Sequence, residues 1–94
     1  MTDAATRRAL LEATHDFPGP YTFKAFGPAS EPFERAVVEA AAGVVAAERI
    51  RVSRRTSGTG RKVCVTLEVE VASADEVLAV YAALRAVPAL AMLL

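Results

Sequence analysis

The chain of 94 residues has no tryptophan, one histidine and one cysteine. A lone cysteine excludes an internal disulfide, and nothing in its use points to an oxidising compartment. A lone histidine leaves any zinc centre two or three nitrogen or sulfur ligands short, so neither a metal nor another cofactor is expected. No apolar run approaches the ~20 residues of a membrane span, and no signal-peptide core follows the opening Met1–Arg8. The expectation is a cytoplasmic protein without a membrane partner. Eleven basic side chains balance eleven acidic ones. Whole-chain attraction to nucleic acid is thereby excluded, and only a local patch could supply it.

One absence is local. Between Arg49 and Lys62 there is no aspartate or glutamate, while Arg49, Arg51, Arg54, Arg55, Arg61 and Lys62 all fall there. They flank a glycine turn, Ser57-Gly58-Thr59-Gly60. Beyond it Lys62 to Val71 alternates polar and apolar, the mark of a strand with one buried face. The segment predicts a β-hairpin with a strongly positive tip. Such a tip could dock an acidic protein or an anionic ligand, or bind a nucleic-acid backbone. It could also be a solvated edge that guards against strand-to-strand association. RNA platforms on sheets stack bases on aromatic side chains, but Cys64, Thr66 and Glu68 hold those positions here. Nucleic-acid binding through residues 49–62 is therefore the alternative reading. The glycine turn is not a phosphate loop of the Walker kind, because a strand rather than a helix follows it.

The remaining elements follow from pattern. Asp3 caps a short leading helix over residues 3–15, with Leu10 and Leu11 as its apolar contacts. Phe17-Pro18-Gly19-Pro20 interrupts, so residues 1–16 form a leader and residues 17–94 the domain. Tyr21–Phe26 reads as a strand ended by Gly27-Pro28. Ser30 caps a helix whose apolar spacing from Phe33 runs to about Ala47. Residues 48–55 alternate, with Ile50 and Val52 facing the helices. Ser73 and Glu76 form a capping box for a helix striped by Val77, Val80, Tyr81 and Leu84. Residues 89–94 are a final strand. The order strand, helix, strand, strand, helix, strand predicts an α+β, ferredoxin-like βαββαβ sandwich: a four-stranded antiparallel sheet with both helices on one face. Pairing about Gly58-Thr59 sets Arg49 beside Glu68. At this length one core forms, burying roughly 60–65% of the unfolded surface. Few of its side chains are large, which leaves room for a homodimer.

Three further positions carry chemical potential. His15 at a helix end reads as solvated, since no nucleophile or acid is placed beside it. Cys64, near Arg51 and Lys62, is either a strand residue or a thiol activated by positive neighbours. Gly27 allows close approach of a ligand, and the helix opening at Ser30 favours a carboxylate or phosphate; both residues also suit a plain strand-to-helix connection.

Phe17-Pro18, Tyr21-Thr22-Phe23-Lys24 and Gly27 resemble the opening of the YbeD-like family of small bacterial proteins. The resemblance continues through Val37-Val38-Glu39, Arg54 with Ser57, Val65–Val69, Val77, Tyr81, Leu84 and the terminal Met92-Leu93-Leu94. It implies a ferredoxin-fold domain similar to ACT-type amino-acid-sensing modules, with a regulatory role suggested to touch lipoate metabolism. It also implies a ligand place near Gly27 at a dimer interface. Two departures stand out. The family's Ser-Ser-Lys-Gly turn is Ser57-Gly58-Thr59-Gly60 here, and Lys62 stands where an aromatic often follows. A non-enzymatic regulatory or interaction domain is the expected function.

Overall fold

The alternating stretch after the glycine turn becomes one of the two inner strands of the sheet. The computed structural model describes residues 3–94. In chain order these form α1 (Ala4–Thr14), β1 (Gly19–Pro28), α2 (Glu31–Ala42), a 3-10 turn (Ala47–Arg49), β2 (Ile50–Thr56), β3 (Lys62–Val71), α3 (Ala74–Arg85) and β4 (Met92–Leu93). All pairings are antiparallel, and the strand order is β2-β3-β1-β4. After the leading helix this is the ferredoxin-like sandwich that the element order predicts.

Register sorts the side chains by face. Phe23 pairs with Leu67 and Ala25 with Val65. Together with Val63, Val69 and Val71 these residues are buried against the helix layer. Val37 and Ala41 of α2 and Val77, Val80 and Leu84 of α3 close that core. The other face of the sheet has no helix over it.

Each helix starts where its cap predicts. The Asp3 carboxylate accepts the Thr6 N–H, and Ser30 Oγ accepts the Phe33 N–H. Ser73 Oγ accepts from Glu76 N, while Glu76 reaches back to the Ala72 N–H at 2.9 Å. α1 docks on α3 through Arg8 and Asp75, 2.6 Å apart, with Leu11 at the core margin. Leu10, expected as a second contact, is 59% exposed.

β1 extends two residues beyond Tyr21–Phe26 at each end and takes in Pro20 and Pro28. Lys24 N–H and C=O both bond Leu94, on the β4 side. By alternation the missing donors at Pro20 and Pro28 also point away from β3, where they cost no ladder bond.

α2 ends at Ala42 rather than near Ala47. Gly43 closes it, and Val45 still reaches the core from the turn that follows. The last strand is two residues long instead of six, because the chain turns at Pro88-Ala89 and bonding to β1 begins only with the Ala91 N–H to the Phe26 carbonyl. Ala89 sits there at φ 69°. A Cβ in the left-handed region costs about 1–2 kcal/mol, partly offset by the unfolded-state freedom that glycine adds. Ala89→Gly is expected to stabilise the fold by about 0.5 kcal/mol, raising Tm by roughly 2–4 °C in a thermal melt.

Candidate functional site

The hairpin register decides what the basic cluster is. Thr56 pairs with Val63 and Ile50 with Val69, so the loop centres on Thr59-Gly60, one residue later than the sequence suggests. Gly60 N–H bonds Ser57 O, and Gly60 alone of the two turn glycines has positive φ, at 75°. The shift sets Arg51, not Arg49, opposite Glu68, with a 3.6 Å ion pair. Arg49 turns to the far end of β3, where it donates to the Glu70 carbonyl and pairs with the Glu76 carboxylate.

The six cations therefore do not act as one patch. Arg54, facing the helix side, lies 2.6 Å from Glu34 of α2. Arg49 and Arg51 have the partners just named. Arg55, Arg61 and Lys62 have no acidic partner within ion-pair distance among the described residues. Arg55 and Lys62 lie on the helix-free face, and Arg61 is in the loop.

Two of these cations, Arg55 and Lys62, line a groove of about 450 Å³ together with Phe26, Ser57, Gly58 and Cys64, among others. Cys64 lies between Phe26 of β1 and Arg55 of β2 in the sheet ladder. Its Sγ is 3.8 Å from Thr66 Oγ1. The floor is thus half-buried and apolar, while the rim is cationic and hydroxylic. Further along the same face stand Glu68 and Glu70, so charge runs from positive at the hairpin to negative at the opposite end. Sequence reasoning missed Phe26 as part of this surface. The signal was its even position in a strand whose odd residues are buried.

Gly27 and Ser30 have partners within the fold. A Cβ on Gly27 would lie 2.4 Å from Phe33 Cζ, so the ring of α2 fills the space that the glycine leaves. Ser30 Oγ is engaged by Phe33 N–H. A hollow of about 250 Å³ adjoins Ser30, lined by Pro28, Pro32, Phe33, Pro88 and Ala89.

His15 is exposed and packs against Tyr21, with ring centroids 4.9 Å apart. Tyr21 in turn meets Tyr81 at 3.2 Å between hydroxyl oxygens. Burial, followed by the Tyr21 hydroxyl, pushes the Tyr81 phenol well above its ordinary value. This aromatic set joins β1, α3 and the end of α1 on the helix side, away from the groove. Among the described residues no group of three or more His, Cys, Asp or Glu could hold a metal ion. No helix among them is long and apolar enough to cross a membrane.

The fold and this surface define a small ferredoxin-like α+β domain with one basic end. Residues 12–94 match a family described as proteins of unknown function, DUF493, and the chain belongs to that family. No curated protein matches it.

Proposed function

We propose that this chain is a non-enzymatic interaction domain of the bacterial cytoplasm that docks an acidic protein partner at the hairpin end of its sheet. The observation that carries this reading is the set Arg55, Arg61 and Lys62. These are three cations without an acidic partner within ion-pair distance among the described residues, gathered at one end of a chain of zero net charge. An acidic partner supplies the missing countercharge and is steered to the site at low ionic strength. Glu68 and Glu70 on the same face disfavour a nucleic-acid backbone laid across the sheet. The YbeD-like resemblance adds a regulatory role to this reading. A second form has the domain sense a small anionic metabolite. The groove volume of about 450 Å³ favours it, since that falls in the ordinary range for small-molecule sites.

The test is a binding titration of the full chain with a fluorescent glutamate-rich 20-residue polypeptide, with citrate and a single-stranded RNA in parallel. The acidic polypeptide is expected to bind with an affinity that falls as salt rises. Arg55→Glu/Lys62→Glu should weaken it about tenfold or more, as loss and reversal of two rim charges requires. An unchanged affinity in that variant sinks the docking reading. Citrate binding with the same loss selects the metabolite form, and RNA binding with a steep salt slope selects the nucleic-acid alternative.

A further inference from the structure

We infer that β2 receives an extended acidic segment of the partner as a fifth strand of the sheet, an inference that rests on the docking reading above. β2 has a neighbour on one side only, and its seven residues pair with β3 in unbroken register. Exposed edges of this kind are usually blunted by proline, a bulge, short length or charged side chains. β2 has only the last, its arginines, which repel a cationic strand and leave the edge open to an acidic one. The opposite side of the sheet is protected twice, by the two-residue length of β4 and by Pro20 on the part of β1 that β4 leaves open.

The direction of the free backbone groups follows from the turn. Ser57 N–H donates to Lys62 O, toward β3. Alternation then turns the amides and carbonyls of Ser53 and Arg55 toward β3 and those of Val52, Arg54 and Thr56 outward. Among the described residues no hydrogen bond reaches that outward row. An added strand would satisfy it, the mode by which extended peptides join sheet edges.

The side chains specify the occupant. Arg51 and Arg55 flank Ser53 on the helix-free face, two charges four residues apart on one side of the strand. Arg55 has no acidic partner among the described residues, and Arg51, with its side chain 86% exposed, meets Glu68 only at 3.6 Å. Val52, on the other side, is 49% exposed. Arg54 already has Glu34. A complementary strand carries acidic residues four apart on one face and a small apolar residue between them on the other. A second copy of β2 is disfavoured. The antiparallel pairing that uses the whole strand, centred on Ser53, sets Arg51 opposite Arg55 of the copy at both ends, and like charges directly opposed across strands are destabilising.

The experiment uses the isotope-labelled full chain and the capped peptide Glu-Thr-Glu-Val-Glu-Thr-Glu. Saturating peptide should slow amide exchange at Val52, Arg54 and Thr56 at least tenfold and leave Ser53 and Arg55 nearly unchanged. Two peptides N-methylated at alternate residues should differ, one set abolishing binding and the other tolerated. Arg51→Glu/Arg55→Glu should weaken the peptide tenfold or more. Equal binding of both methylated peptides, or protection without alternation, overturns strand addition. So does silence of the peptide up to millimolar concentration. In each of these cases continued binding of the glutamate-rich polypeptide leaves docking standing, whereas its loss removes both readings. Concentration-dependent protection of the same amides without peptide would overturn the inference in favour of self-association.

Discussion

Gly27→Ala is expected to cost about 2–3 kcal/mol and to lower Tm by roughly 10–20 °C, a large loss for the addition of one methyl group. Gly27 has no positive φ, so its conformational freedom is not what the fold uses. The constraint is steric. The methyl carbon would lie 2.4, 2.5 and 2.8 Å from Cζ, Cε1 and Cε2 of Phe33. That ring is 4% exposed and fixed by the first turn of α2, whose cap is the bond from Phe33 N–H to Ser30. Relief requires moving the helix start or the strand end. Interiors packed to crystal-like density yield little to such a shift. Phe33→Leu combined with Gly27→Ala should recover part of the loss, with a coupling of about 1 kcal/mol or more in a double-mutant cycle. Urea unfolding of the four proteins measures it. A Gly27→Ala variant within about 0.5 kcal/mol of the parent would return Gly27 to the role of a backbone kept bare for a ligand.

The contrast between Gly27 and the hairpin shows what the sequence made legible. β3 was readable because its two faces meet different surroundings: valines and Leu67 inward, Cys64, Thr66, Glu68 and Glu70 outward. The caps at Ser30 and Ser73 were readable because they are local. The end of α2 was not, since Val44 and Val45 continue a helical spacing that the chain realises by a turn after Gly43. The hairpin centre was off by one residue because Gly58 and Gly60 both suit a tight turn, and only Gly60 occupies the left-handed region. That single step moved the Glu68 partner from Arg49 to Arg51.

For the site, the excess of positive charge was legible and its neutralisation was not. Glu34 meets Arg54 and Glu76 meets Arg49 only because helix–sheet packing brings distant segments together. Likewise, Phe26 comes beside Cys64 only through the β1–β3 register. Local sequence predicts what a segment is; the register and the crossovers decide what it faces.

Glu76 gives the second large effect. It caps α3, holds the Ala72 N–H and pairs with Arg49, so one carboxylate ties the start of the helix to the end of β3 and the start of β2, both at the end of the ladder away from the hairpin. Glu76→Ala is expected to cost about 2 kcal/mol and Glu76→Gln about 1 kcal/mol, since glutamine keeps the Ala72 bond but loses the charge. Burial pushes the Glu76 carboxyl up, but the Ala72 N–H and the Arg49 guanidinium outweigh it and hold it below its ordinary value of 4.5. A carboxyl with a lowered folded-state pKa stabilises the fold fully above its unfolded value, and the contribution is lost as pH falls through the folded value. The stability gap between the parent and Glu76→Gln should therefore be constant near neutrality and close below about pH 4.5. A gap that persists unchanged to pH 3 would remove the charge from the explanation. Glu76→Gln should also leave the affinity for the glutamate-rich polypeptide within about twofold, because Arg49 stays on the Glu70 carbonyl, far from the hairpin tip. Stability and docking then separate along β3, with Arg49 and Glu76 securing one end and Arg55 and Lys62 left free at the other.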